Sequence, residues 1–282
     1  MENTPSSTKS LIVSIVLYHS QVELLHSTIS SLYQASVTAL NEGHLGQVLV
    51  VLVDNSQDQL YQSSVRDALA VLRWDDFFTL KYIDAAENIG YGAGHNLALA
   101  NLASDYYLVL NPDVELDRCA LSVGLSALKS DETLTLVSPK VTGSEGVQEF
   151  LCKSYPSVLV LSLRAFAPVF IRSYFKSRLD HYEMRDECTA ALAIDVPLAS
   201  GCFMLGCSDA LTAVGGFNES YFLYFEDFDL SLRLREQGRL MFLPTMQINH
   251  HGGYAASKGL GHIWLFMKSG ARFFNDHGWK WI

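Results

Sequence analysis

The sequence has few cysteines and no long apolar run, and each shortage excludes a class of protein. Five cysteines are scattered along 282 residues without a Cys-x-x-Cys pair, which argues against a disulfide scaffold and a structural zinc site and predicts a reduced, cytoplasmic compartment. A helix that spans a bilayer needs roughly 20 apolar residues. The nearest candidate, residues 158–175, is interrupted by Arg164, Pro168 and Arg172. The polar N-terminus also lacks the layout of a signal peptide.

Cations are scarce as well. The chain has 20 Lys and Arg against 30 Asp and Glu, a formal net charge of −10. Because nucleic acids are held mainly through clustered Lys and Arg at the phosphates, nucleic-acid binding is not expected. With 49% hydrophobic and 18% charged residues, the composition is that of a globular protein with a packed core.

Short apolar strands alternate with helices in the first half of the chain. The pattern predicts strands at residues 11–18, 47–53, 80–83 and 106–110, and helices at 21–40, 59–72 and 94–103. This β-α-β order predicts an α/β fold with a mostly parallel sheet flanked by helices. Further strands are expected at 194–197, 202–206, 239–243 and 246–250, and a last helix at 259–276. We expect a flexible N-terminus at 1–10, one domain at 11–257 and an added helix at 258–282.

Polar residues lie at the ends of four predicted strands, where open α/β sheets bind their ligands. These ends are Tyr18-His19, Asp54-Asn55, Asp84 and Asn111-Pro112-Asp113. Asp54 is placed to accept hydrogen bonds from a nucleobase or a ribose hydroxyl. Asp-Asn-Ser is also ordinary turn chemistry, so a turn is the alternative.

A glycine-rich loop enters a helix at residues 87–96, E-N-I-G-Y-G-A-G-H-N. Its glycines let the backbone approach a phosphate, and the helix start offers free N–H groups to an anion. The loop matches neither the G-x-G-x-x-G nor the P-loop pattern, so neither dinucleotide nor ATP binding follows. A purely structural loop explains these residues equally well.

The tripeptide Asn111-Pro112-Asp113 closes the strand at 106–110. A carboxylate at this place can hold a divalent cation that also touches phosphate oxygens. His250 or His251 would add an imidazole, which favours manganese. The alternatives are a turn at Asn-Pro-Asp and a solvated loop at the histidine pair, because a metal site needs ligands that converge in space.

Three carboxylates, Glu226, Asp227 and Asp229, follow an aromatic run in Y-F-L-Y-F-E-D-F-D-L-S-L-R-L-R at residues 221–235. Apolar residues then continue at helical spacing, so the carboxylates open a helix. A carboxylate there is either a charge favoured by the helix dipole or a chemical base. Asp229 is placed as the helix-start charge, paired one turn later with Arg233.

Two segments combine cations with aromatic residues in a chain that is acidic overall. Residues 153–179 carry five cations and no acid, and residues 258–282 carry four cations with one acid and six Trp and Phe residues. Such a mixture suits a membrane surface with anionic headgroups. An ordinary amphipathic helix or a homodimer contact is the alternative.

These motifs resemble, in this order and at these spacings, family 2 glycosyltransferases with the GT-A fold. The set is Asp54, N-x-G-Y-G-x-G-x-N, N-P-D, G-G-F-N-E, F-E-D-F-D-L-S-L-R and His250. Within that family the chain is similar to the bacterial rhamnosyltransferases of polysaccharide and lipopolysaccharide biosynthesis. The resemblance covers residues 11–251, and its most specific blocks are 88–96 and 217–233.

The resemblance implies a nucleotide-sugar half at residues 11–113 and an acceptor half at 114–257. It gives Asp54 the contact with the nucleotide base and places the 88–96 loop along the donor site. The implied nucleotide-sugar contacts are Tyr18, Asp54, Asn55, Asn88, Gly90, Asn96, Asn111 and Asp113.

The resemblance also implies a divalent metal, Mg or Mn. Asp113 stands where the family's D-x-D metal motif lies, with Asn111 in place of the first Asp. That departure leaves Asp113 as the main carboxylate ligand. His250 or His251 matches a further metal contact, and the sequence does not choose between them.

Asp227 matches the family's general base, with Glu226 assisting it. An inverting sugar transfer requires a carboxylate that takes the acceptor's proton on the side opposite the leaving diphosphate. The implied reaction moves L-rhamnose from dTDP-β-L-rhamnose to a lipid-linked saccharide at the inner face of the cytoplasmic membrane.

Three other functions stay open from the sequence. One is transfer from a UDP-sugar, with galactose or N-acetylglucosamine. Another is a non-catalytic carbohydrate-binding relative, which only the Asn111 departure favours. The third is nucleotidyl transfer, whose glycine-rich, basic N-terminal loop is missing from Leu17-Tyr18-His19-Ser20.

Overall fold

The computed structural model describes residues 9–100, 103–252 and 260–282 of the chain. Most of the expected flexible N-terminus, two residues of the helix expected at 94–103, and the start of the 258–282 segment lie outside these ranges. One ten-stranded sheet runs through the described residues, with its main strands in the order β3-β2-β1-β4-β9-β6-β10-β5. The strands are β1 (Ser10–Leu17), β2 (Gln47–Asp54), β3 (Phe78–Asp84), β4 (Tyr106–Leu110), β5 (Val114–Leu116), β6 (Leu134–Gly143), β7 (Gln148–Glu149), β8 (Ile194–Asp195), β9 (Phe203–Cys207) and β10 (Arg239–His250).

Helices cover both faces of this sheet, which gives the predicted α/β class. They are α1 (Val22–Asn41), α2 (Gln59–Ala70), α3 (Tyr91–Leu99), α4 (Ala120–Ser130), α5 (Val158–Phe166), α6 (Val169–Tyr174), α7 (Lys176–Tyr182), α8 (Arg185–Thr189), α9 (Ser208–Ala213), α10 (Glu226–Arg235) and α11 (Leu260–His277).

The first half of the sheet is parallel, as its sequence pattern predicts. β3, β2, β1 and β4 pair in parallel. β1 and β2 are near-continuous apolar runs, buried along almost their whole length. Strands buried on both faces need such runs, because helices cover them on each side. The carboxyl ends of β1, β2 and β4 therefore reach one edge of the sheet, where Tyr18, Asp54 and Asn111 lie.

The second half of the sheet is mixed. β9 runs antiparallel to both β4 and β6, and β10 pairs parallel with β6 and antiparallel with β5. β10 is a single strand that covers both of the strands expected at 239–243 and 246–250. Its register is irregular between Leu243 and Gln247. β6 lies in the centre of the sheet although no strand is predicted there. Together these strands bring Asp113 and His250 to the same edge.

The last helix, α11, packs onto the start of α10 and onto α5. Phe273 and Phe274 are buried in one apolar cluster with Tyr221, Phe225 and Val160. Beyond α11, the carbonyl groups of Lys280 and Trp281 accept the Val158 and Leu159 N–H groups at 2.8 and 3.0 Å, which satisfies two free donors at the start of α5. Among the helices described, none is long and apolar enough to cross a membrane.

Candidate functional site

The glycine-rich loop is fixed against the turn that precedes α10. Gly90 has a φ of +88°, and a Cβ there would lie 2.4 Å from the carbonyl oxygen of Phe222. The same Phe222 oxygen accepts the Tyr91 N–H at 3.0 Å. Only glycine fits this backbone conformation and this close approach. The two sequence blocks that are most specific for the family thus touch each other.

The asparagines of this region hold the loops in shape. The Asn96 side chain donates to the Phe217 carbonyl and accepts the Phe217 N–H, both at 2.8 Å. Asn55 donates to the Gly90 carbonyl at 3.0 Å, and Asn88 accepts the Gly90 N–H at 3.1 Å. These contacts give each of the three amides a structural role, although Oδ1 of Asn55 is buried without a partner among the described residues, and the predicted contacts of the three with a nucleotide sugar remain predictions.

Asp54 is fully buried at the end of β2. Its Oδ1 accepts the Ser56 N–H at 2.6 Å, and its Oδ2 accepts the Tyr82 hydroxyl. Burial and the Asp54 carboxylate raise the pKa of Tyr82, so this hydroxyl stays a donor. Contact with a nucleobase would have to use the remaining lone pairs of Asp54. Tyr18, by contrast, is 59% exposed just beyond β1.

Tyr91 joins three of the motifs that the sequence singles out. Its hydroxyl donates to the Gly201 carbonyl at 2.6 Å and lies 3.0 Å from Oδ1 of Asn111. The Gly201 N–H in turn donates to Oδ2 of Asp227 at 2.9 Å. A short chain of contacts therefore runs from the N-P-D loop to the carboxylate at the start of α10. Tyr91 and Gly201 were not predicted as site residues, although Tyr91 stands inside the N-x-G-Y block.

Asp113 and His250 face each other at the sheet edge. Nε2 of His250 lies 3.6 Å from Oδ1 of Asp113. Nδ1 of His250 lies 2.8 Å from the Glu149 carboxylate, which orients the ring so that Nε2 points to Asp113. His251 points elsewhere, toward Glu115 at 3.4 Å, and only its backbone N–H reaches the Asp113 carbonyl. The structure thus brings His250, and not His251, beside the Asp113 carboxylate.

The space between Asp113 and His250 fits a metal ion. In the described part of the chain, Oδ1 of Asp113 is buried without a hydrogen-bond partner. A Cβ on Gly252 would lie 2.2 Å from Asp113 Oδ2 and 2.7 Å from His250 Nε2, so glycine keeps this space open. The described residues contain no set of three or more His, Cys, Asp or Glu side chains placed to hold a metal ion. A cation here would have two protein ligands, and oxygens of a diphosphate or water would complete its shell.

The start of α10 is built on a strained turn. Tyr224 and Phe225 both have left-handed backbones, with φ of +70° and +68°. Such conformations are unfavourable for bulky residues and persist where the surroundings enforce them. Phe225 is held by its burial against Phe273 of α11. The turn sets Glu226 and Asp227 at the first two positions of the helix.

Glu226 and Asp227 form a buried carboxyl pair. Oδ1 of Asp227 accepts the Phe228 N–H and Oδ2 accepts the Gly201 N–H, each at 2.9 Å. Burial raises the pKa of Asp227, while these N–H donors and the Lys153 charge oppose the rise. Burial and the adjacent Asp227 charge raise the pKa of Glu226 well above its ordinary value. Glu226 therefore holds a proton at pH values where Asp227 is ionised, which separates an acid from a base.

Asp229 has a structural role. Its carboxylate is buried, accepts Nε of Arg233 at 2.8 Å, and lies 2.8 Å from Nε2 of His277. The predicted pairing with Arg233 one turn later is confirmed. The contact with His277, 48 residues away in sequence, ties α10 to α11. Both oxygens of Asp229 are thus engaged by side chains of α10 and α11.

An open cavity of about 900 Å³ faces the carboxyl pair. Glu226 and Asp227 line it together with Glu149 and His250 from the sheet edge, and His262 and Phe266 of α11 form another wall. The cavity is large enough for a saccharide. Asp227 is thus a carboxylate with a raised pKa, oriented by backbone donors, at the wall of an open cavity.

The known proteins that resemble this chain are glycosyltransferases. The chain matches no family model. It is 26% identical over 254 residues to the N-acetylglucosaminyl-diphospho-decaprenol L-rhamnosyltransferase of Mycobacterium tuberculosis, covering 83% of this chain and 76% of that protein. It is also 26% identical over 232 residues to the rhamnosyltransferase WbbL of Escherichia coli, covering 76% of this chain and 82% of WbbL.

Solved structures share the fold. GalNAc-T7 with UDP, GalNAc and Mn²⁺ superposes with a TM-score of 0.63 at 12% identity, covering 96% of this chain and 48% of that one. The mannosyltransferase PcManGT of Pyrobaculum calidifontis, with GDP-Man and Mn²⁺, gives 0.58 at 16% identity, covering 92% and 61%. This chain thus spans about half to three fifths of the length of those two proteins.

The chain has the fold of the GT-A glycosyltransferases and is similar in sequence to bacterial rhamnosyltransferases. Its likeness to the rhamnosyltransferases confirms the similarity to family 2 that the sequence motifs indicate.

One more buried residue of this glycosyltransferase was not predicted from its sequence. His95 of α3 is fully buried, with Nδ1 2.7 Å from the Ser14 hydroxyl and its ring stacked on Phe217. Burial lowers the pKa of His95 to about 3, so the ring is neutral. It is a core residue that packs α3 onto the turn before α10. The only sequence signal for it is the G-x-G-x-N pattern of the segment in which it lies.

Proposed function

We propose that this glycosyltransferase moves L-rhamnose from dTDP-β-L-rhamnose, with inversion, to a saccharide linked to a lipid through a diphosphate. The observation that carries the proposal is the oriented Asp227 carboxylate at the cavity wall, linked through Gly201 and Tyr91 to the N-P-D loop. The choice of sugar and acceptor follows the two curated relatives, both named as rhamnosyltransferases, one of which takes its name from a diphospho-decaprenol acceptor.

Asp227 acts in the proposed reaction as the general base. An acceptor hydroxyl in the cavity donates its hydrogen bond to the carboxylate and passes its proton there while its oxygen attacks the anomeric carbon. Because the N–H groups of Gly201 and Phe228 hold both oxygens, the carboxylate does not reorganise during the transfer. Glu226 carries a proton next to it and offers the acceptor a donor.

Asp113 and His250 would hold the divalent metal on the donor side. Bound there, the cation would neutralise charge on the leaving diphosphate. The Glu149 carboxylate would keep the His250 ring in place. Mg and Mn both remain candidates.

Contact with the membrane surface is the third part of the proposal. α6 and its flanks expose Phe166, Val169, Phe170 and Tyr174, and α11 with its following residues exposes Trp264, Met267, Trp281 and Ile282. Arg172, Lys176 and Lys268 lie among them and are exposed as well. Apolar and cationic residues on one surface favour an interface with anionic headgroups.

A donor screen tests the proposed function. We expect release of dTDP from dTDP-rhamnose to depend on a lipid-linked saccharide, and UDP-galactose and UDP-N-acetylglucosamine to be poor donors. Faster turnover of a UDP-sugar would replace the donor assignment. Absence of turnover with every donor and acceptor would support a non-catalytic binding protein instead. Undiminished turnover in excess EDTA would contradict the metal assignment.

A further inference from the structure

Lys153 is a buried cation without a carboxylate of its own. It is 9% exposed, lines the same cavity as Asp227, and its Nζ donates to the Phe150 carbonyl. Within the described ranges, no Asp or Glu oxygen lies within 4 Å of this nitrogen. Buried charges are normally paired, because a cation removed from water is costly.

Two arginines add to the positive charge beside Lys153. Arg164 and Lys153 lie over the same Tyr182 ring, at 5.3 and 5.9 Å from its centre. Arg164 and Arg185 both contact Glu183, at 3.3 and 2.5 Å, and all three of these side chains line the cavity. Three cations thus lie close together with Glu183 between the two arginines, while the other carboxyl residues that line the cavity are Glu149, Glu226 and Asp227. Burial and the Arg164 charge lower the pKa of Lys153 to about 8, which an anion beside it would reverse.

We propose that Lys153, with Arg164 and Arg185, binds the diphosphate of the acceptor. This inference rests on the proposed function and adds the part of the acceptor that the cavity recognises. A diphosphate offers several anionic oxygens, and the two guanidinium groups, each more than 40% exposed, keep N–H donors free for them.

The composition of the cavity lining supports this assignment. Asp227 and the three cations line one cavity. Phe166, Ile263 and Phe266 line the same cavity, and Phe166 and Ile263 are 58% and 40% exposed. A saccharide, a diphosphate and an apolar chain would each find a matching group there: a base, cations and apolar side chains.

Decyl diphosphate is the probe for this site. The enzyme is first saturated with dTDP and Mg²⁺, so that the donor's own phosphate site is filled, and binding is measured by titration calorimetry. Because hydrogen bonds to charged groups contribute roughly 1.5–3 kcal/mol, we expect Lys153→Met to raise the Kd about 10- to 100-fold. Arg164→Gln should raise it as well. Decyl maltoside, whose head group is neutral, should bind both variants as it binds the wild type.

Lys129→Met is the matched control, since Lys129 is exposed in the last turn of α4 and does not line the cavity. An unchanged Kd for decyl diphosphate in Lys153→Met would overturn the proposal. So would binding of the probe to the wild type only when dTDP is left out, because the site would then belong to the donor. Equal weakening of decyl maltoside would show a merely structural lysine. If Lys153→Met does not fold, Arg164→Gln decides in the same way.

This experiment is independent of turnover. Failure of rhamnose transfer with intact, Lys153-dependent diphosphate binding would reject the proposed donor and keep the anion site. If rhamnose transfer is active but the Kd for decyl diphosphate does not depend on Lys153, the anion site is rejected and the proposed donor is kept.

Discussion

Replacing Asp227 with asparagine removes the proposed base while keeping the shape of the side chain. Both carboxylate oxygens accept backbone N–H groups, from Gly201 and Phe228, at 2.9 Å. An amide keeps one acceptor oxygen, and its NH₂ group must face the other N–H. We expect the loss of one buried hydrogen bond to lower the free energy of unfolding by about 1–3 kcal/mol.

The effect on catalysis should be larger than the effect on stability. General base catalysis contributes roughly 10²- to 10⁴-fold to the rate, equivalent to about 3–5 kcal/mol in the activation free energy. Acceptor-dependent dTDP release should therefore fall by that factor in kcat. The affinity for dTDP should stay close to that of the wild type, because Asp227 lies on the acceptor side.

Initial-rate measurements with dTDP-rhamnose, alongside dTDP titration and thermal unfolding, separate these effects. Asp209→Asn is the matched control, since Asp209 is an exposed carboxylate in the first turn of α9. A kcat within about threefold of the wild type would refute Asp227 as the base, because general base catalysis is worth far more. A loss of dTDP affinity equal to the loss of rate would instead indicate a collapsed site.

Three further changes probe the same region. Glu226 has a raised pKa in the folded protein, so the folded state holds its proton at pH values where the unfolded chain has released it. The free energy of unfolding should therefore fall by up to about 1.4 kcal/mol per pH unit above the unfolded pKa. Glu226→Gln should remove the part of this slope that Glu226 contributes in urea unfolding between about pH 5 and 8, and an unchanged slope would contradict the raised pKa. Gly90→Ala places a Cβ 2.4 Å from the Phe222 carbonyl oxygen, at a residue whose φ is +88°. It should therefore lower the free energy of unfolding by about 2–4 kcal/mol. An unchanged melting temperature would contradict the close packing. Asp229→Ala removes the buried carboxylate shared by the half-buried Arg233 and His277 and should destabilise the fold by about 3–5 kcal/mol, and a loss below about 1 kcal/mol would mean that the tie to α11 is weak.

The sequence predicts the first half of the fold well because its strands are uninterrupted. β1 and β2 are apolar at nearly every position, and glycines and polar residues mark their ends. β6 has no such signature: Ser138 is buried inside it, Pro139 follows, and its pairing with β9 and β10 comes from distant segments. β6 forms a strand because it pairs with segments that are distant in the sequence, and local residue propensities do not predict such pairing.

The residues of the candidate site also differ in whether the local sequence or only the fold points to them. Residues within one motif, such as Asp227 and Asp113, can be proposed from the sequence because their chemistry is local. Lys153 belongs to a segment that reads as a basic membrane surface, and only the folded cavity shows that this cation is buried. Likewise His250 is separated from His251 only when β10 is paired with β5 and β6 and one ring turns toward Asp113.

The tryptophans of the α11 region give the protein an optical reporter. Three of the four, Trp264, Trp279 and Trp281, lie on α11 or just after it, and the latter two stack on each other with their ring centres 5.0 Å apart. Trp264 and Trp281 are more than 60% exposed, so their emission starts from a water-rich environment. Their emission maximum and its quenching by soluble iodide will follow any approach of α11 to a lipid surface, without a label and without turnover.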